Sequence, residues 1–198
     1  MSKLTSLAII FFLLLSFKVE SQTTDTTDFK FKFGIGIDFE MVDYDNYPSI
    51  PPTHIVANLD IGDVFRIEPG IGYKTTNDNY DTNGYVRSSK RYSYSLGAYW
   101  LIGSKKTRPY IGLDLNYIKT INETIDDNSS SENIRKESRI GPVLGIEYKF
   151  HRRFSIGGEF LFLRTNSNST HIRSNGEETE GFTDGWKTGN RIKFRFYF

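Results

Sequence analysis

The chain has 198 residues, with 25 Lys and Arg against 24 Asp and Glu, and no cysteine. That length suits one domain, and the balanced charge exerts no strong pull toward nucleic acid. The absence of cysteine rules out disulfides, thiolate metal sites, a cysteine nucleophile and a lipid-modified N-terminal cysteine.

The first element in chain order is a targeting signal. Lys3 precedes the unbroken apolar run Leu7 to Leu15, and Val19-Glu20-Ser21 supplies a small residue at a cleavage position before Gln22. Nine apolar residues are too few for a spanning helix, which needs about 20. Residues 1–21 are therefore expected to be a cleaved signal peptide, and residues 22–28 a polar leader.

From residue 29 to 198 the pattern has period two. Phe29, Phe31, Phe33, Ile35, Ile37, Phe39 and Met41 alternate with Lys30, Lys32, Gly34, Gly36, Asp38 and Glu40. Strict alternation over this length is a strand signal, long enough to cross a bilayer at a tilt, which takes about 9–11 residues. Seven further segments repeat it: Ile55 to Ile61, Phe65 to Tyr73, Tyr92 to Trp100, Ile111 to Tyr117, Ile140 to Phe150, Phe154 to Phe162, and Trp186 to Phe198. Pro69 and Pro142 remove ladder donors, so bulges are expected there. Residues 62–63, 103–107 and 151–152 read as tight turns. Residues 42–52, 75–89, 119–137 and 164–185 read as long polar loops. The expectation is an all-β fold: an eight-stranded antiparallel transmembrane β-barrel, an up-and-down meander with both ends on the short-turn, periplasmic side. A mean hydropathy of −0.45 fits strands that alternate and average out.

Alternation does not say which face meets the outside, but three features do. Gly34, Gly36, Gly70, Gly72, Gly97, Gly112, Gly141, Gly145, Gly157 and Gly189 fall on the polar face, and only Gly158 on the apolar face of the strands. Glycine is useful where strands curve around a crowded lumen. The apolar face also carries side chains too bulky for an eight-stranded interior. Finally, Phe29, Phe65, Trp100, Phe150, Phe154 and Phe198 gather at the periplasmic end, and Tyr73, Tyr92, Tyr117, Phe162 and Trp186 at the outer end, as two aromatic girdles.

The closing segment Ile192-Lys193-Phe194-Arg195-Phe196-Tyr197-Phe198 alternates and ends in Phe. With Arg66-Ile67-Glu68-Pro69-Gly70-Ile71-Gly72-Tyr73 and Arg108-Pro109-Tyr110-Ile111-Gly112, it resembles the small outer-membrane β-barrel families that include the transmembrane domain of outer membrane protein A and the OmpX-like proteins. The resemblance covers residues 29–198. It implies a monomer in the Gram-negative outer membrane, in contact with the lipid bilayer and lipopolysaccharide. It also implies that the barrel-assembly machinery recognises the strand ending in Phe198.

The polar face places seven acids (Asp38, Glu40, Asp60, Glu68, Asp114, Glu147, Glu159) and eleven bases (Lys30, Lys32, Arg66, Lys74, Arg91, Arg139, Lys149, Lys187, Arg191, Lys193, Arg195) in the lumen. Charges in a narrow interior must pair or be wetted, so a plugged, salt-bridged lumen is expected rather than an open pore. The excess positive charge is expected at the periplasmic end, from Lys30, Lys32, Lys193 and Arg195. His54, His151 and His171 are too dispersed for a metal site, and no catalytic, cofactor-binding or metal residue is assigned. The segment Ser169 to Glu177 holds Ser169, His171, Ser174 and Glu177, the parts of an acyl-hydrolase triad. It resembles the His-x-Ser-Asn element of barrels that deacylate lipid A, but with His-x-x-Ser-Asn spacing. The loop acids Asp43, Asp45, Asp126, Asp127, Glu177, Glu178 and Glu180 are candidates for binding divalent cations, and Tyr44, Tyr47, Tyr80 and Tyr85 for adhesion.

The leading expectation is a non-enzymatic barrel with an envelope-structural or surface-interaction role through its long loops. The alternatives are a lipid A-modifying hydrolase using His171 with Ser169 or Ser174 and Glu177, and a narrow channel or transport accessory. Refolded in detergent, the mature chain should give a heat-modifiable gel band and a strand-dominated circular dichroism spectrum. A water-soluble monomer would mean the barrel is inside out.

Overall fold

The computed structural model describes residues 31–41, 52–80, 85–103, 106–126 and 129–198. Eight antiparallel strands close into a barrel in chain order: β1 (Phe31–Met41), β2 (Pro52–Ile61), β3 (Phe65–Tyr80), β4 (Tyr85–Leu101), β5 (Thr107–Asp126), β6 (Ser129–His151), β7 (Phe154–Arg173) and β8 (Glu178–Tyr197). β1 closes the ring on β8, with Gly34 opposite Tyr197 and Met41 opposite Asn190. The Phe198 amide adds a bond to the Phe33 carbonyl at 2.9 Å. Gly62 and Gly103 sit at positive φ in short turns, a conformation that disfavours a side chain. Residues 1–30, which contain the expected signal peptide and leader, lie outside the described residues, as do 42–51.

The apolar face points out. Trp100, Leu144, Phe150, Tyr73 and Trp186 are each more than half exposed, while Asp60, Arg66, Glu147 and Arg191 on the opposite face are buried. The outward rings form two belts. At the periplasmic end Phe154 lies 4.9 Å from Phe196, and Phe196 lies 5.2 Å from Phe198. At the outer end Tyr73 lies 5.2 Å from Tyr92, and Phe162 stacks on Trp186 at 4.9 Å.

The inward glycines accommodate specific neighbours. A Cβ at Gly97 or Gly112 would strike the Tyr99 ring, and one at Gly145 the Tyr110 ring. Gly36 and Gly70 flank Val56, leaving 2.9 and 2.8 Å from their would-be Cβ atoms to its methyl groups. These vacancies let two tyrosines cross the lumen and meet edge to face at 5.4 Å.

Two expectations need correction. Segments 75–89, 119–137 and 164–185 are not loops for most of their length: β3 through β8 continue through them in unbroken register, from Tyr80 opposite Tyr85 to Asp126 opposite Ser129 and Ile172 opposite Glu178. Polar residues on both faces mean only that the outward face has left the lipid and that the inward face, still buried at Glu137, Thr165 and Ser167, is wet beyond them, while cross-strand pairing carries on. The prolines make no bulges either. Pro69 and Pro142 interrupt the ladder toward β2 and β7, respectively, yet the register is the same on either side of each. The shifts fall at Asp38/Phe39 and at Lys149/His151.

Gly145→Val should therefore destabilise the folded barrel by about 1–3 kcal/mol, the usual cost of overpacking. Gly158→Val, on the outward wall with open space around its would-be Cβ, should be neutral or mildly stabilising. Urea unfolding in detergent micelles distinguishes the two.

Candidate functional site

The lumen is filled by a network built strand by strand from period-two alternation, which aims every second side chain inward. Nearest the periplasm, Glu147 of β6 is the hub. Its Oε2 accepts from Arg108 Nη2 at 2.7 Å and Arg66 Nη2 at 3.1 Å. Its Oε1 accepts from Tyr197 Oη at 2.5 Å and Ser155 Oγ at 2.6 Å. Asp60 completes the layer, accepting from Arg66 Nε at 2.5 Å and Arg108 Nη2 at 3.2 Å.

The next layer belongs to β8. Glu68 accepts from Lys193 Nζ at 2.5 Å and Arg195 Nε at 2.7 Å. Lys193 also lies 3.0 Å from Glu159 Oε1, which accepts from Tyr110 Oη at 2.9 Å. Arg191 Nη1 donates to Asp114 Oδ2 at 2.8 Å and lies 3.3 Å from Glu159. Asn116 donates to the other Asp114 oxygen. Toward the outer mouth, Arg139 bridges Glu40 at 2.8 Å and Glu137 at 2.5 Å, and Lys187 lies 3.5 Å from Glu137.

Two charged members escaped the sequence reading. Arg108 is 1 % and Glu137 3 % exposed, so both are lumen groups. Arg108 shares the parity of Gly112 and Asp114 and was legible in that pattern. Glu137 was hidden by the assignment of its segment to a loop. The expected excess of positive charge at the periplasmic end is also corrected. Lys193 and Arg195 are buried on carboxylates, and Lys32 donates to Asp63 Oδ1 at 3.0 Å in the β2–β3 turn. That contact holds the Asp63 carboxyl below its ordinary value. Lys30 lies outside the described residues.

The Ser169 to Glu177 cluster is not assembled as a triad. Ser169 and His171 sit on one face of β7, and Ser169 Oγ contacts the Gly181 carbonyl at 3.4 Å. Glu177 pairs with Arg173 at 2.8 Å. Ser174 lies in the exposed turn beyond β7, and among the described residues no hydrogen bond joins His171 to either serine or to Glu177. His54 is buried at the top of the network, and His151 ends β6, accepting from the Arg153 amide at 3.3 Å. No cluster of three metal-ligating side chains occurs among the described residues. The side chains of Asp43, Asp45, Asp126, Asp127, Tyr44, Tyr47, Tyr80 and Tyr85 lie outside the described set.

A closed antiparallel ring with an apolar exterior, aromatic belts and an ion-paired interior defines a small transmembrane β-barrel of the bacterial outer membrane. The chain belongs to the outer membrane protein beta-barrel domain family, whose model matches residues 9–194. Its fold is similar to that of a major outer membrane protein from Thermus thermophilus (TM-score 0.54, 12% identity, covering 85% of this chain and 99% of that one). It is also similar to the E. coli outer membrane protein W (TM-score 0.51, 12% identity, 84% and 97%). No curated protein matches the chain.

Glu147→Gln should destabilise the barrel by about 3–5 kcal/mol, because it leaves the buried Arg66 and Arg108 guanidinium groups undercompensated. Glu123→Gln, at a half-exposed pair with Lys90, should cost less than about 1 kcal/mol. Unfolding midpoints in lipid vesicles test the contrast.

Proposed function

We propose that this barrel is a non-enzymatic surface-interaction protein, exported by a cleaved N-terminal signal, with a lumen closed to solutes and the hairpins above the outer aromatic belt acting as its working part. One observation carries the reading: β5, β6 and β7 run 20, 23 and 20 residues, roughly twice the 9–11 needed to cross the membrane. The excess forms a continuous paired wall standing beyond the bilayer.

That wall carries apolar groups that lipid does not explain. Phe182 is 67 % exposed, on β8 well above Trp186, and Ile125 is 55 % exposed near the tip of β5. Isolated apolar and aromatic groups on a rigid polar surface suit contact with a partner outside the cell. The salt-bridged interior supports a platform rather than a channel, since each buried charge is held by its counterpart. Lipopolysaccharide surrounds the outer belt, the barrel acts as a monomer, and the exposed Phe198 ring ends the strand read by the assembly machinery.

Replacing residues 167–183 with Asn-Gly joins the paired Asn166 and Asp184 by a tight turn and keeps the barrel. The shortened protein should fold with unchanged heat modifiability. Cells bearing it should lose binding to protein-coated surfaces that cells with the full chain show. The full chain should give no conductance steps in planar bilayers and no change in lipid A mass. A change in lipid A mass abolished by His171→Ala would replace this reading with the hydrolase, and steady conductance with the channel.

A further inference from the structure

The outward wall of β4 to β7 is not evenly filled. Cross-strand register sets its side chains in rows: Leu96, Leu115, Ile140 and Arg164 in one, and Tyr94, Tyr117, Ser138 and Asn166 in the next. In the second row Tyr94 and Tyr117 stack at 6.5 Å, and the short Ser138 stands between Tyr117 and Asn166. Both rows line a recess of about 630 Å³ at this point. That volume falls within the range of ligand sites, about 300–1,000 Å³. Its membrane-side row is apolar at Leu96, Leu115 and Ile140, whereas Ser138, Asn166 and Arg164 bring hydroxyl, amide and guanidinium groups. The Arg164 charge is met by Asp184 at 2.9 Å.

The next row outward carries a second, independent feature. Lys119 of β5 and Lys136 of β6 stand directly opposite each other, flanked by Tyr92 on β4 and Asn168 on β7. Along the same face their strand neighbours are Tyr117 and Ile121, and Ile134 and Ser138. None of these adjoining positions is acidic, and like charges directly opposed on one face of a sheet repel. The row lies one outward position, about 7 Å, beyond Tyr117 of the outer belt. Interfacial aromatic rings sit among the headgroups, so the lysine pair stands at the level of lipid phosphates, with the recess directly beneath it.

We propose that this recess binds one molecule of lipopolysaccharide by its lipid A, with a phosphate between Lys119 and Lys136 and an acyl chain against Leu96, Leu115 and Ile140. The inference rests on the reading that lipopolysaccharide surrounds the outer belt, and it names the place on the wall where one molecule is held. Most residues lining the recess point outward from the barrel, so its occupant is a component of the membrane rather than a solute in the lumen. The charged edge lies on the outer side and the apolar row on the membrane side, which is the polarity of an outer-leaflet amphiphile with an anionic head. Each ammonium brings three rotatable donors to a phosphate, and the phosphate removes the repulsion between the two lysines. An acyl chain in the recess restores the dispersion contacts that an unfilled hollow denies its lining.

The test uses the full mature barrel in nonionic detergent, titrated with purified lipid A, with dephosphorylated lipid A and with phosphatidylglycerol, and read by native mass spectrometry and thermal unfolding. Expected is one lipid A retained per barrel with a rise in unfolding temperature. Dephosphorylation of the lipid, or Lys119→Gln with Lys136→Gln, should weaken retention by about tenfold or more, the variant remaining heat-modifiable. Ser138→Phe, which fills the recess and leaves both lysines in place, should weaken it as well. Arg152→Gln with Arg153→Gln, which removes the same charge from the exposed turn at the periplasmic rim, should leave it unchanged. Equal retention of phosphatidylglycerol, undiminished binding in the lysine or Ser138 variants, or an equal loss in the periplasmic one would overturn the proposal. Quenching of Trp186 by brominated acyl chains in lipid A vesicles, read in a Trp100→Phe background, separates the two levels. Quenching without selective retention overturns the site alone, and absence of quenching overturns the reading beneath it together with the site.

Discussion

Everything in this molecule follows from the width of an eight-stranded ring. Such a lumen is just wide enough for side chains to fill, which leaves no continuous water to solvate a charge. The inward face is nevertheless densely ionic, so each buried charge has to find its counter-charge in protein. Glu147 shows the outcome: two guanidinium groups, a phenol and a hydroxyl converge on one carboxylate. The same tightness explains the glycines, whose missing side chains are the spaces that Tyr99 and Tyr110 occupy.

The wall above the membrane is governed by a different rule. There neither face meets lipid and the inward positions, such as Asn122, Asn133 and His171, are no longer fully buried, so pairing persists on backbone hydrogen bonds and cross-strand contacts. The wall is also uneven. β1 and β2 are 11 and 10 residues long, against 16 to 23 for the others. Among the described residues, β8 above Asn190 and β3 above Ile71 therefore pair on one side only.

Much of the transmembrane part was legible because period-two alternation is a direct image of the two-sided wall. The strand count, the outward aromatics and the inward glycines all came from parity. Arg108 was legible by the same rule, but its place beside a turn concealed it. Glu137 and the projecting hairpins were not legible, because strands such as Lys119 to Asp126 lose their hydropathy contrast once both faces are wet. Pro69 misled for a related reason. A missing N–H matters only on the side where that donor would have pointed, and the ladder toward β4 runs through it intact. Whether individual charges pair is likewise invisible to parity, which is why Lys193 and Arg195 were read as loose charges.

The allocation of charge along the chain has a consequence for biogenesis. Arg191, Lys193 and Arg195 all lie on β8, and among the described residues every ion pair of Asp114 and Glu159 is made with that strand. The ribosome therefore delivers those carboxylates well before their partners exist, and until β8 is added Asp114 and Glu159 lack the cations they face in the closed ring. The last strand of the ring therefore does two things at once: it seals the wall against β1 and it neutralises the lumen.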